Sequence, residues 1–154
     1  MEIRRIGVIG AGQMGSGIAH VCALNGYDVI VHDISMERAE AGIATIMGNM
    51  NRQVTSGKIQ ESDRDAALDR ITPSMDYAKL AEANMVIESA TENEDVKRAI
   101  FGELCPHLSA ETILCTNTSS ISITRLAAIT DRPEKFMGMH FMNPVPVMEL
   151  VELI

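Results

Sequence analysis

The sequence predicts an α/β chain built on a doubly wound, mainly parallel sheet. Short β-prone runs alternate with helical patterns along the whole 154 residues, which is how a parallel sheet comes to be buried between two layers of helix. The first of those runs ends in a glycine-rich turn that opens a helix. No repeat, low-complexity tract or obvious linker interrupts the alternation, so one domain over residues 1–154 is expected.

A strand at Arg5–Ile9, a helix to about Leu24 closed by Asn25-Gly26, and a strand at Asp28–His32 form a βαβ unit. A long helix from about Ser35 places Ala39, Ile43, Ile46 or Met47, Met50 and Val54 on one face, with Ser56-Gly57-Lys58 near its end. A short helix starts at Ser62. Strand-like runs recur at Arg70–Thr72, Met85–Glu88, Ile113–Thr116 and Phe136–Phe141. A helix near Glu94–Cys105 uses Val96, Ile100 and Leu104 as its apolar face, and another lies around Ile123–Ala128.

Composition bounds the function. At 46% hydrophobic and 22% charged the chain is globular. A formal net charge of −8 argues against nucleic acid as a general partner, because phosphate backbones require clustered Lys and Arg. Any anion must therefore be held locally. No apolar run approaches a membrane span and no cleavable leader pattern precedes the first strand, so a cytoplasmic protein is expected. Cys22, Cys105 and Cys115 are odd in number and scattered, which predicts core thiols rather than disulfides or a metal site. The eleven methionines read as filler in an adaptable core.

The glycine turn is Gly10-Ala11-Gly12-Gln13-Met14-Gly15. It follows an apolar strand, opens a helix, and is trailed by Asp33, 18 positions after Gly15 at the end of the second strand. That context is the dinucleotide-binding fingerprint of the Rossmann fold. Gly10 permits the tight turn, Gly12 lets backbone approach a pyrophosphate, and Gly15 lets helix and strand close up. A glycine-rich turn holding no ligand would look similar from the hexapeptide alone. Asp33 suits the ribose diol of NAD and repels the 2′-phosphate of NADP, and Ile34-Ser35-Met36-Glu37 offers no cation; Arg38 lies a helical turn away. An Asp capping the next helix is the plainer alternative.

Ligands in such sheets sit beyond the carboxyl ends of the strands. Three of those exits are crowded with polar residues: Ala90–Lys97, Asn117–Ser122 and Phe141–Pro146. Helix caps and solvated helix starts would also account for the first two. The stretch from Met139 to Ile154 is apolar and β-prone, yet it holds His140, Asn143, Glu149 and Glu152. Buried imidazoles and carboxylates are costly without partners, so these groups should answer to each other or to a ligand. A histidine starts from a pKa of about 6.5 and can take an alcohol's proton, while a carboxylate on its other nitrogen fixes the tautomer. An extended return near Pro146 would bring Glu152 roughly opposite His140. His20, His32 and His107 lack such a setting and read as structural residues.

The motifs "GVIGAGQMGSGIA", "VIESATENEDVK", "TNTSS" and "GMHFMNPVPVMELVE" resemble, in order and spacing over the whole chain, the N-terminal NAD-binding domain of the L-3-hydroxyacyl-CoA dehydrogenases, especially the bacterial 3-hydroxybutyryl-CoA type. The resemblance implies reversible hydride transfer between a 3-hydroxyacyl-CoA and NAD, in fatty acid or butanoate metabolism. It implies that His140 is the catalytic histidine, that Glu152 orients it, and that Ser119 touches substrate and cofactor. It places Asn143 near the nicotinamide, makes Glu92 and Lys97 cofactor contacts, and makes Asp33 the ribose-binding acid. Contacts to CoA would come from Asn49, Arg52 and Lys58 on the long second helix. No metal is implied.

Glu149 departs from the family pattern, which commonly has a basic residue there. The family continues into a helical domain that completes the acyl pocket and most of a dimer interface, so the chain is expected to stop at the interdomain boundary, to show little activity alone, and to belong to a homo-oligomer at full length. Two other readings stay open here: a dehydrogenase of a non-CoA hydroxy acid, and an NAD-binding module without turnover.

Overall fold

The computed structural model describes residues 2–118, 120–146 and 151–154. Among the described residues seven strands, β1 (Arg5–Ile9), β2 (Asp28–His32), β3 (Ile71–Ser74), β4 (Met85–Glu88), β5 (Ile113–Thr116), β6 (Phe136–Phe141) and β7 (Val151–Leu153), form one sheet. Their order is β3-β2-β1-β4-β5-β6-β7. All neighbours from β3 through β6 are parallel, and β7 alone runs antiparallel, against β6. The chain builds outward from β1 to β3, then crosses to β4 on the other side of β1. That reversal leaves a crevice above β1 and β4, where doubly wound sheets bind ligands.

The helices are α1 (Gln13–Leu24), α2 (Met36–Thr55), α3 (Glu61–Asp69), α4 (Glu94–Leu104) and α5 (Ile123–Ala128). Strand residues alternate between two cores because successive side chains point to opposite faces. Ile6, Val8, Val29, Val31 and Ile87 pack with Ile18, Ala19, Ile46, Met50 and Ala67 of α1, α2 and α3. Ile9, Ile30, Val86 and Leu114 pack with Phe101, Leu104 and Leu126 of α4 and α5. Along α2, a Cβ at Gly42 would lie 2.7 Å from the Cβ of Ala11, so this helix presses directly against the glycine turn.

Some boundaries and faces differ from the sequence expectation. α3 opens at Glu61, not Ser62, because Gln60 and Asp63 form a reciprocal capping box. β3 spans Ile71–Ser74 rather than Arg70–Thr72, its Val29–Ile71 register being set by β2. The inward stripe of α4 is Lys97, Phe101 and Leu104, whereas Val96 is 42% exposed. Asn93 caps the helix by accepting from the Val96 amide, and that phase turns Lys97 toward the sheet. Met50 and Met85 are core filler, but Met36, Met47 and Met75 are exposed. Cys105 and Cys115 are buried, Cys22 is half-buried, and all three are free thiols. Burial pushes the Cys22 and Cys115 thiols up to about 11 and about 12. Among the described residues no helix is long and apolar enough to cross a membrane.

Candidate functional site

The glycine turn sits where β1 delivers the chain into α1. Gly10 has φ +100°, a left-handed conformation that a side chain would strain, and a Cβ there would lie 2.8 Å from the Ala90 Cα. Its amide donates to the His32 carbonyl at 2.8 Å. Gly15 is buried, and a Cβ there would fall 1.6 Å from the Gly10 carbonyl oxygen. Gly12 is the opposite case. It precedes the first helical residue with no side-chain cap, and a Cβ there meets nothing within 4 Å. The helix start at Gly12, Gln13 and Met14 therefore faces open space, its amides available to an anion. No acidic side chain occupies the first turn of α1.

Asp33 leaves β2 beside this turn. Its Oδ2 accepts from the Ala11 amide at 2.9 Å and its Oδ1 from the Ile34 amide at 2.7 Å. The carboxylate is thus tied to the glycine turn, and the cap of α2 is supplied by Ser35, whose hydroxyl accepts from the Arg38 amide at 3.2 Å. The alternative in which Asp33 caps the next helix is therefore not what the structure shows.

Across the crevice, a cavity of about 250 Å³ is lined by Gly12, Gln13, Met14, Ser89, Ala90, Thr91, Glu92, Lys97 and Asn117. Glu92 Oε2 accepts from the hydroxyls of Thr118 at 2.8 Å and Ser120 at 2.6 Å, joining the loops after β4 and β5. Lys97 lines the cavity but is 1% exposed, and its ammonium donates to both oxygens of Glu88 at 2.7 Å. Glu88, fully buried at the end of β4, also accepts from Thr116 Oγ1 at 2.7 Å and from the Ala90 amide at 2.9 Å. Sequence reasoning missed Glu88 and Thr116. The available signal was an acid closing an apolar parallel strand, a place where a carboxylate needs partners. Asn117, also missed as an individual residue, accepts from the Phe141 amide at 2.8 Å and so ties the end of β6 to the cavity.

His140 stands next to Phe141. In the β6–β7 register it faces Glu152 directly, with Nδ1 3.7 Å from Oε1. That separation suits charge attraction and exceeds a hydrogen bond. Ser119 and residues 147–150, Glu149 among them, lie outside the described residues.

A second groove runs from the glycine turn along α2. About 420 Å³ is enclosed by Gly12, Gln13, Gly42, Asn49, Asn143, Pro144 and their neighbours. It continues at Asn49, Pro144 and Pro146 into about 350 Å³ lined by His20, Arg52, Gln53, Ser56 and Lys58. Asn49, Arg52 and Lys58 therefore share one groove with Asn143, although Lys58 lies beyond the end of α2 at Thr55 and not on the helix as expected. Arg52 donates to Asn49 Oδ1. His20 and His32 are buried, each with Nδ1 unpartnered among the described residues, and His107 is exposed. His20 is held by Gln53 Oε1 at 2.7 Å, and His32 stacks on Tyr77.

The residues fit a dinucleotide on physical grounds: a helix start with open amides, a carboxylate fixed beside it, and a cavity across the switch point. The chain matches the family model described as "3-hydroxyacyl-CoA dehydrogenase, NAD binding domain" over residues 5–154. It is 58% identical over 152 residues to a 3-hydroxybutyryl-CoA dehydrogenase of Bradyrhizobium diazoefficiens, covering 99% of this chain and 52% of that one. It is 44% identical over 154 residues to a 3-hydroxyadipyl-CoA dehydrogenase of Escherichia coli, covering 100% of this chain and 32% of the relative. The crystal structure of (S)-3-hydroxybutyryl-CoA dehydrogenase from Ralstonia eutropha matches with a TM-score of 0.96 and 47% identity, over 99% of this chain and 54% of that one. The chain thus spans about half the length, or less, of these proteins. A nicotinamide dinucleotide is the cofactor class these likenesses support.

Proposed function

Because the chain belongs to the 3-hydroxyacyl-CoA dehydrogenase family as its NAD-binding domain, we propose that it is the cofactor-binding and proton-handling half of an NAD-dependent 3-hydroxyacyl-CoA dehydrogenase. The observation that carries the reading is His140 facing Glu152 across β6 and β7, one residue from a strand end that Asn117 ties to the cavity. In alcohol oxidation the cofactor, when bound, supplies the hydride acceptor. His140 takes the hydroxyl proton at its ring nitrogen, and Glu152 favours the imidazolium that results. Ser119 is proposed to touch substrate and cofactor.

Gly10, Ala11, Gly12, Gln13, Met14 and Gly15 would hold the pyrophosphate, with Asp33 on the adenosine ribose. Glu92, Lys97 and Asn143 would flank the other half. NAD is favoured over NADP because a fixed carboxylate at Asp33 repels a 2′-phosphate. The groove with Asn49, Arg52 and Lys58 would take the CoA arm. Its two basic side chains complement an anionic ligand, and the relatives' names share the CoA ester while differing in the acyl group. 3-Hydroxybutyryl-CoA is the proposed substrate, and homo-oligomerisation through the relatives' additional length is part of the proposal.

The test is His140→Gln in a chain extended to the length of its relatives. Turnover of 3-hydroxybutyryl-CoA should fall by ~10²–10⁴, the scale of losing a general base, with NAD affinity by calorimetry nearly unchanged. Turnover within a few-fold of the parent removes His140 from the mechanism.

A further inference from the structure

We propose that Glu88 is a positioning residue that sets the charge of the nicotinamide half of the cofactor site, and through it the preference between oxidised and reduced cofactor. The proposal rests on the dinucleotide reading above. With Asp33 marking the adenosine side at β2, the cavity beyond β4 and β5 receives the second nucleotide half. Its charged lining residues are Lys97 and Glu92. Lys97 brings a cation into the floor of this otherwise open cavity, its own side chain being 1% exposed.

The two forms of the ligand differ in one relevant respect: the oxidised nicotinamide ring carries a positive charge and the reduced ring does not. An uncompensated ammonium in that wall would disfavour the oxidised form selectively. Glu88 supplies the compensation. Its two oxygens each accept from the Lys97 ammonium at 2.7 Å, and Thr116 and the Ala90 amide complete four hydrogen bonds to the carboxylate. Ala90 and Lys97 both line the cavity, so Glu88 grips its wall from behind without lining it. A carboxylate so saturated is held rigidly, and its field at the cavity is correspondingly fixed. A buried pair serving only to staple β4 to α4 would instead support both cofactor forms equally.

The experiment titrates the full chain with NAD⁺ and NADH and reads the ratio of the two dissociation constants in the parent, in Glu88→Gln, and in Glu88→Gln combined with Lys97→Met. In Glu88→Gln the ratio should move toward the reduced form by roughly tenfold, the scale of one unit charge acting from about 12 Å at an effective dielectric near 20. The double replacement should return the ratio close to the parent's, even where both affinities fall. Equal weakening of both forms in Glu88→Gln overturns the proposal and leaves a structural staple. Should Glu88→Gln not fold, Lys97→Gln reads the same balance in reverse: the ratio should move toward the oxidised form, and an unchanged ratio overturns the proposal as well. A parent chain that binds neither form overturns the cofactor reading itself.

Discussion

Adding one methyl group at Gly15 and at Gly12 should have opposite consequences, although the two positions lie in one hexapeptide. At Gly15 the new Cβ would sit 1.6 Å from the Gly10 carbonyl oxygen, 2.7 Å from the Gly10 carbonyl carbon and 2.9 Å from Ser89 Oγ. Carbon and oxygen need about 3 Å or more, so helix and strand must separate by more than an ångström through backbone that cannot rotate away. Overpacking of a core costs typically 1–3 kcal/mol, and a clash with backbone belongs at or above the top of that range. A loss of about 3 kcal/mol or more is expected for Gly15→Ala in urea denaturation. At Gly12 the Cβ meets nothing within 4 Å and the backbone is extended at φ −72°. The only expected cost is the poorer capping of Ala relative to Gly, about 1 kcal/mol or less. NAD affinity should nevertheless fall sharply in Gly12→Ala, because the methyl group occupies the open approach to the helix amides. Equal destabilisation by both replacements, or undiminished NAD binding by Gly12→Ala, would refute this assignment of roles.

Asp33→Ala should narrow or reverse the preference for NAD over NADP in calorimetric titration, and equal affinities in the parent chain would remove the ribose argument. Arg132 is 3% exposed and donates to the Ser109 and Thr112 carbonyls as well as to Asp131; Arg132→Met strands those acceptors and should cost roughly 2–4 kcal/mol, whereas Lys135→Ala, at a half-buried side chain whose ion pair to Glu111 lies at the surface, should change stability by less than about 1 kcal/mol. Burial pushes the His20 and His32 imidazoles below their ordinary value of 6.5, partly countered by Gln53 for the first and by Asp33 and Asp76 for the second. Below about pH 6.5 the unfolded chain therefore binds more protons than the folded one, so stability should decline as pH is lowered from 7 through that value. His20→Gln should flatten the decline measured by urea denaturation, and an unchanged slope would exclude His20 as its source.

The fold was legible because it rests on period. The continuous apolar runs of β1, β2 and β4, their alternation with helical patterns, and the apolar spacing in α2 survive without any knowledge of partners, and the glycine turn with Asp33 at its distance is a local signal. The reach from His140 to Glu152 could be anticipated from an extended return, but their register could not, since a slip of one residue turns a side chain to the opposite face. The burial of Lys97 was hidden for another reason. In Asp95-Val96-Lys97-Arg98 the apolar residue looks inward and the cation outward, and only the cap at Asn93 together with the carboxylate of Glu88 inverts that. The groove on α2 combines residues from α1, α2 and the Asn143–Pro146 turn, a convergence that no spacing along one element announces.

The close seat of Gly42 on Ala11 has a practical meaning for redesign. A 20-residue helix is about 30 Å long, and α2 is anchored at the glycine turn while Asn49 and Arg52 ride two to three turns further along it. Any side chain added at Gly42 would lever the far end of that rod away from the sheet and open or skew the groove as a whole. Replacements at Asn49, Arg52 and Lys58 act on the groove without moving the lever. On the proposed reading of the groove, ligand preference would be tunable at Asn49 and Arg52 on α2 and at Lys58 just beyond its C-terminal end, while the seat at Gly42 is the pivot that has to be left alone.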